Sequence, residues 1–203
     1  QIVTSANDLT AVLTGGHDTT SLLPVGDDSL VGGAGDDLIF GDTLYSGANG
    51  AGWAGVVDQA KTALGISGTP TGTQMHNHIK SNLSSLLKPD PSLSNSTDTR
   101  GGNDTIVGGK GNDTMFGQGG NDTFKWLSGD QGTAANPAID HIGDFNRGDA
   151  LDLRDLLQGE NSGNLTQFLS VSAETGTGHA VLNVSRTAGG VVTQQIVFDN
   201  MTV

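Results

Sequence analysis

Cysteine is absent from the 203 residues, and aromatic side chains make up only 4% of them. The first absence excludes disulfides and thiolate-held metals, and it suits a chain exported unfolded without oxidative folding. The second excludes an ordinary core rich in aromatic rings. Cationic residues are also scarce. Nine Lys and Arg stand against 22 Asp and Glu, a formal charge of 9 − 22 = −13. Nucleic-acid phosphates and anionic bilayer surfaces need clustered Lys and Arg, so both are excluded as partners. Such a surface attracts cations instead. No run approaches the ~18 apolar residues of a membrane span, and no cleavable signal peptide opens the chain, so no membrane insertion is expected. There is no H-E-x-x-H, no G-x-S-x-G and no cysteine nucleophile, which makes the expectation a protein that is not an enzyme.

What the chain has in excess is glycine, 32 residues of 203, about twice the usual ~7%. The glycines fall in phrases that align on aspartate: "LPVGDDSLV" on Asp28, "GGAGDDLIF" on Asp37, "TRGGNDTIV" on Asp104, "GGKGNDTMF" on Asp113 and "GQGGNDTFK" on Asp122. Within each block the spacing is nine: 37 − 28, 113 − 104 and 122 − 113. Two residues after each aspartate stands an apolar side chain, Leu30, Ile39, Ile106, Met115 or Phe124. The pattern G-G-x-G-x-D-x-U-x, with U apolar, matches the nonapeptide of calcium-binding RTX proteins.

Its physics follows from the residue types. A three-residue strand x-U-x turns its middle side chain inward. The six residues before it must reverse the chain tightly, which glycine tolerates. Two nonapeptides make one 18-residue turn of a parallel β-roll, so loops alternate between two sides. Asp28, Asp104 and Asp122 then share one side, and Asp37 and Asp113 the other. Calcium takes six to eight oxygens from carboxylates and carbonyls in a tolerant geometry. Stacked loops offer these from the aspartates and from the backbone at Gly33, Gly35, Gly102, Gly109, Gly111 and Gly120.

From Asp37 to Asp104 is 67 residues, not a multiple of nine. Residues 43–100 therefore form an insert that leaves and rejoins within one loop, with Asp42 near the exit. Trp53, Val56, Val57, Ala60, Ala63 and Leu64 fall at helical spacing before Gly65, a C-cap. Thr73 is the expected cap of a second helix whose face is Met75, Ile79, Leu83 and Leu86, stopped before Pro89. Two amphipathic helices need an apolar surface, and the flank of the roll supplies one. His76 and His78 sit two apart with no ligand at i+4, which favours a structural or solvent role over zinc. Trp53 reads as core ahead of a sugar-stacking ring.

After Lys125 the repeats fade into "IDHIGDFNRGDALDLRDLL". Asp140, Asp144, Asp149, Asp152 and Asp155, with only Arg147 and Arg154 nearby, suggest a further cation site, or else a solvated acidic face with helix caps such as Asp155. "LTQFLSVSAE", "AVLNVS" and "TQQIVFDN" read as strands of an antiparallel cap over the open end. The fold class is thus mainly β: a parallel β-roll interrupted by a small helical insert and capped by an antiparallel C-terminal region. Its divisions are a lead-in segment 1–24, a first repeat block 25–42, the insert 43–100, a second block 101–127 and the cap 128–203.

The repeats, the split by a helical insert ending in "DTRGGNDT" and the phrase "DFNRGDALDLRDLLQGE" together resemble the C-terminal region of large bacterial RTX adhesins exported by type I secretion. The resemblance implies an extracellular module at the bacterial cell surface, several bound calcium ions, the secretion machinery as partner, and a monomer that folds on calcium after export. Two alternatives stay open. One is an adhesive tip that binds a glycan or peptide, for which Trp53 or Tyr45 beside a calcium is the feature to seek. The other is the non-catalytic RTX tail of a secreted enzyme. A Ser-His-Asp site drawn from His17, His141 or His179 is a remote third.

Overall fold

Among the described residues, nine short strands wind into two facing parallel sheets. The computed structural model describes residues 2–3, 12–14, 27–42, 44, 52–87 and 101–203. His17, Tyr45, the side chain of Trp53 and the return segment 88–100 lie outside the described residues. One sheet orders β1 (Ile2–Val3), β3 (Ser29–Ala34), β5 (Thr105–Lys110), β7 (Thr123–Lys125) and β9 (Ala150–Asp152). The other stacks β2 (Val12–Thr14), β4 (Leu38–Phe40), β6 (Thr114–Phe116) and β8 (Ala138–Ile142), again in parallel. The lead-in segment thus supplies one strand to each sheet, through β1 and β2.

The register places the inward apolar residues directly above one another. Leu30 pairs with Ile106 and Ile106 with Phe124; across the roll, Ile39 pairs with Met115 and Met115 with Ile142. All six are fully buried in one cluster. Each fully buried side chain of this size contributes roughly 1.5–3 kcal/mol.

The aspartate spacings explain the interruption. Asp28 and Asp104 stack at a separation of 76 residues, and Asp104 and Asp122 at 18. Residues 43–100 number 58, and 76 − 58 restores 18. A second, smaller expansion follows. Asp113 and Asp140, like Asp122 and Asp149, stack at 27, which is one nonapeptide more than a turn. The extra nine residues bulge between β7 and β8. The roll therefore runs on past residue 127, through β8 and β9. The antiparallel part comprises β10 (Leu169–Ala173), β11 (His179–Ser185) and β12 (Val192–Thr202), and β12 joins the second sheet parallel to β8. Leu153, Leu156, Leu157 and Phe168 close the end of the roll, in the same cluster as the stacked interior residues.

The insert forms α1 (Gly52–Leu64) and α2 (Gly72–Leu86). Gly65 ends α1 at φ +64°, in the left-handed region that a C-cap requires. The cap of α2 is Thr71, not Thr73. Thr71 Oγ1 accepts from Gln74 N while Gln74 Oε1 accepts from Thr71 N, so a reciprocal box places Thr73 inside the first turn. Val56, Ala60, Met75, Ile79 and Leu86 pack with Leu44 on Leu38, Phe40 and Phe116, the outward face of the second sheet. Phe40 and Phe116 stack at 5.1 Å there. His78 is buried and its Nε2 lies 3.1 Å from Gln59 Oε1, a clip between the two helices. Asn82 donates to His78 O, and the helix kinks at that residue.

Candidate metal centre

Each nonapeptide loop delivers one aspartate to a column along the edge of the roll. In the first column Asp28 N donates to Asp104 Oδ1 at 2.7 Å, Asp104 N to Asp122 Oδ1 at 2.9 Å, and Asp122 N to Asp149 Oδ1 at 3.0 Å. In the second, Asp37 N donates to Asp113 Oδ1 and Asp113 N to Asp140 Oδ1, both at 2.9 Å. The residue after each aspartate returns the contact: Thr105 N donates to Asp28 O, and Thr114 N to Asp37 O. A parallel outer ladder runs beside the columns. Asn103 N donates to Asp27 Oδ1, Asn121 N to Asn103 Oδ1, and Asn112 N to Asp36 Oδ1.

This pairing occupies only one oxygen of the inner aspartates. Oδ2 of Asp104, Asp113 and Asp122 is buried with no hydrogen-bond partner among the described residues. In each case the atom lies against the first glycine of its own loop. A Cβ on Gly108 would stand 2.3 Å from Asp113 Oδ2, and one on Gly117 would stand 2.1 Å from Asp122 Oδ2. For Asp104 the equivalent glycine is Gly41, at 2.2 Å, on the far side of the insert. A buried carboxylate oxygen with no donor is costly.

Burial is also the leading reason the pKa values of these groups are raised. It pushes Asp104 and Asp113 up to about 8 and Asp122 to about 7. Neighbouring carboxylates add to it: Asp42 and Asp122 act on Asp104, and Asp140 on Asp113. Hydrogen bonds from the backbone oppose the shift without cancelling it. Asp42, Asp140 and Asp144 are raised less, to about 6, again chiefly by burial.

The glycines named from the sequence line the same loops. Gly33, Gly35, Gly109, Gly111 and Gly120 have positive φ. At Gly111 the loops approach so closely that a Cβ would stand 2.0 Å from Gly35 O. Gly120 meets Gly102 O in the same way, at 1.9 Å. Asp42 closes the loop that the insert splits: Oδ1 accepts from Gly102 N and Oδ2 from Gly119 N. Asp140, Asp144 and Asp149 join the two columns as their last rungs instead of forming a separate cluster. Asp152 is not brought to them. Its carboxylate receives two bonds from the Arg154 guanidinium at 2.8 Å, lies 3.6 Å from Lys125 Nζ, and is held down at about 2.

Sequence reasoning passed over Gly108 and Gly117 as site residues, although the first G of their phrases was their signal. It also passed over Trp126 and Gln194, which lie outside the repeat and reach Asp140 only through the fold. The histidines His141 and His179 flank Asp199 on the cap, with His141 Nδ1 2.7 Å from Asp199 Oδ1.

Calcium fits this arrangement. Among the described residues no three His, Cys, Asp or Glu side chains converge on a metal position, so any shell here would have to draw on backbone carbonyls as well. That is a calcium donor set, all oxygen and tolerant in geometry. The unpartnered Oδ2 atoms of Asp104, Asp113 and Asp122 are where a cation, if held, would replace the missing hydrogen bonds and offset the proximity of other carboxylates.

Comparison with known proteins agrees. Residues 25–48 and 98–125 match the RTX calcium-binding nonapeptide repeat (4 copies). The chain thus carries calcium-binding RTX repeats on both sides of the insert. No curated protein sequence matches it. Among solved structures it is similar to the AlgE6R3 subunit from the Azotobacter vinelandii mannuronan C5-epimerase, at 16% identity and a TM-score of 0.49 over 95% of this chain and 76% of that one. The AlgE6R2 subunit gives 19% identity and a TM-score of 0.48 over 98% and 83%.

Proposed function

We propose that this chain is a calcium-dependent folding and export module at the C-terminal end of a large bacterial surface adhesin, and not a catalyst. The observation that carries the proposal is the set of buried, donor-less carboxylate oxygens repeated from loop to loop. A fold that buries such groups is poorly stable alone, and metal binding to it is folding energy. In a calcium-poor cytosol the acidic, glycine-rich repeats stay unfolded and pass through a type I secretion channel. In millimolar external calcium they close into the roll. Residues of the inner loops hold the cations: Asp28, Asp37, Asp104, Asp113 and Asp122, with the loop carbonyls around them. Bound calcium supplies charge neutralisation there and no reaction chemistry. The adhesin context rests on the split insert and the "DFNRGDALDLRDLL" phrase.

Calcium titration followed by circular dichroism tests the core of the proposal. β signal should be largely missing in chelator and appear with calcium. Magnesium should substitute poorly, because its octahedral shell sheds water reluctantly. Full β signal in excess chelator would sink the idea. A second reading, an adhesive tip, draws on a shallow groove of about 430 Å³ between the loop at Lys110–Asn112 and the bulge at Gly129–Ala138. Glycan or peptide binding that is lost on filling this groove would favour it.

A further inference from the structure

The last rung of each column differs from the rungs before it. Asp140 has no orphaned oxygen. Its Oδ1 accepts from Asp113 N at 2.9 Å, and its Oδ2 accepts from Trp126 Nε1 at 2.6 Å and from Gln194 Nε2 at 2.8 Å. Both donors are buried, Trp126 at 1% exposure and Gln194 at 0%. They come from separate parts of the fold, the strand-end after β7 and the first residues of β12. The equivalent oxygens of Asp104, Asp113 and Asp122 have no such donors.

The backbone of the Asp140 loop departs from the repeat as well. Residues 135–140 read "ANPAID", with Ala135, Asn136 and Ala138 where the inner loops have glycine. No residue between Gly129 and Gly148 has a positive φ, whereas Gly33, Gly35, Gly109 and Gly111 all do in the two loops stacked before it. So the turn that aims carbonyls at a cation is not formed at this rung. The first column ends similarly. Asp149 Oδ2 accepts from Asn146 N, and the two oxygens of Asp144 accept from Gly117 N and Gln118 N.

We infer that the cation columns stop one rung short of the end of the roll, and that Trp126 and Gln194 take at Asp140 the place a cation takes at the inner aspartates. A carboxylate already bonded to three protein donors gains little from calcium, which would have to displace a buried donor, the indole of Trp126 or the amide of Gln194. The rung stays stacked, yet it is completed by the protein itself. The columns thereby gain a metal-free terminus joined to the antiparallel cap. This inference rests on the proposed calcium binding of the inner loops.

Calorimetric counting of bound calcium on the full chain, alongside thermal melts in excess calcium, tests it. Asp113→Asn should lose at least one calcium relative to the unaltered protein. Asp140→Asn should keep the full count, because asparagine still accepts from Trp126 and Gln194, while its melting point falls by roughly 5–10 °C. Loss of a calcium from Asp140→Asn would overturn the inference. If that variant does not fold, Gln194→Leu decides. It should keep the calcium count and affinity and melt lower. Tighter calcium binding without a lower melting point would mean that the amide competes with a cation at Asp140. No calcium binding by the unaltered protein would instead defeat the functional proposal itself.

Discussion

The roll and its helical insert are held together by opposite means. In the roll, the interior between the sheets is two facing files of apolar residues, and the edges are two columns of buried carboxylates. In the insert, two helices lay a continuous apolar face on Phe40 and Phe116, and the acidic residue described there, Asp58, pairs at the surface with Lys61 at 3.2 Å. One region buries charge that repels itself. The other buries hydrocarbon and leaves its charge in water. The difference teaches where cation dependence should reside: the roll needs something between its carboxylates, and the insert needs only the roll.

The sharpest way to break this comparison is to alter one inner loop. Asp113→Ala removes an aspartate whose Oδ1 receives Asp37 N and whose Oδ2 faces Gly108. Gly108→Ala keeps the carboxylate but drives a methyl group to within 2.3 Å of it. Both should raise the calcium midpoint by tenfold or more in a dichroism titration. Asp155→Ala is the control. Its side chain is half exposed, 3.4 Å from Lys125 Nζ, and a surface pair of this kind contributes little. Equal midpoints for Asp113→Ala and Asp155→Ala would refute the register on which the two columns are drawn.

The next effect is that of pH on the metal-free protein. Burial lifts Asp104, Asp113 and Asp122 to between about 7 and about 8, far above the ordinary carboxylate range. The folded form therefore binds protons that the unfolded chain has released. Stability from these groups is fully present below the usual carboxyl pKa and is lost as pH rises through about 7 to 8. In chelator, β signal should be greater at pH 5 than at pH 8. Calcium must displace the same protons, so its midpoint should fall as pH rises across that window. A calcium midpoint flat from pH 6 to pH 8 would contradict the burial of these oxygens.

Much of this was legible in the sequence because a nine-residue period leaves little choice. Once aspartates recur every nine residues with an apolar residue two later, the side of the roll on which Asp28 or Asp113 lies follows by counting. The 58-residue insert was legible for the same reason. The end of the roll was not. Beyond Lys125 the G-G-x-G phrase is lost, and a nine-residue bulge shifts the count, so Asp140 and Asp149 no longer announce themselves as rungs. Asp152 was misleading in the other direction. It follows the acidic rhythm, but the strand's alternation turns it outward to Lys125 and Arg154. The partners of Asp140 were invisible because Gln194 is 54 residues away and reaches it only when β12 settles beside β8.

Replacing residues 43–100 by a short Gly-Ser bridge makes a smaller change in cation binding. Most of the aspartates in the columns lie outside the insert, and the split loop would be rejoined where Asp42 already meets Gly102. The calcium count should hold. Removal uncovers Leu38, Phe40 and Phe116, so binding of a hydrophobic dye should rise and the melting point should drop. A calcium count near zero would show that the insert contributes to the sites.

Thr71→Ala should do least to the columns, and it separates local helix stability from cation binding. The box between Thr71 and Gln74 satisfies two backbone donors at the start of α2, and losing such a cap costs about 0.5–2 kcal/mol. The buried contacts of Met75 and Ile79 lie one and two turns further on and remain. Frayed residues at the start of α2 should exchange amide hydrogens faster in excess calcium, while the calcium midpoint stays where it was. The helix is coupled to the roll through apolar contact with β4 and β6, and none of that contact involves residue 71. If the midpoint moved as far as it does for Asp113→Ala, the insert would be part of the cation-binding unit, and the contrast between the two regions would fail.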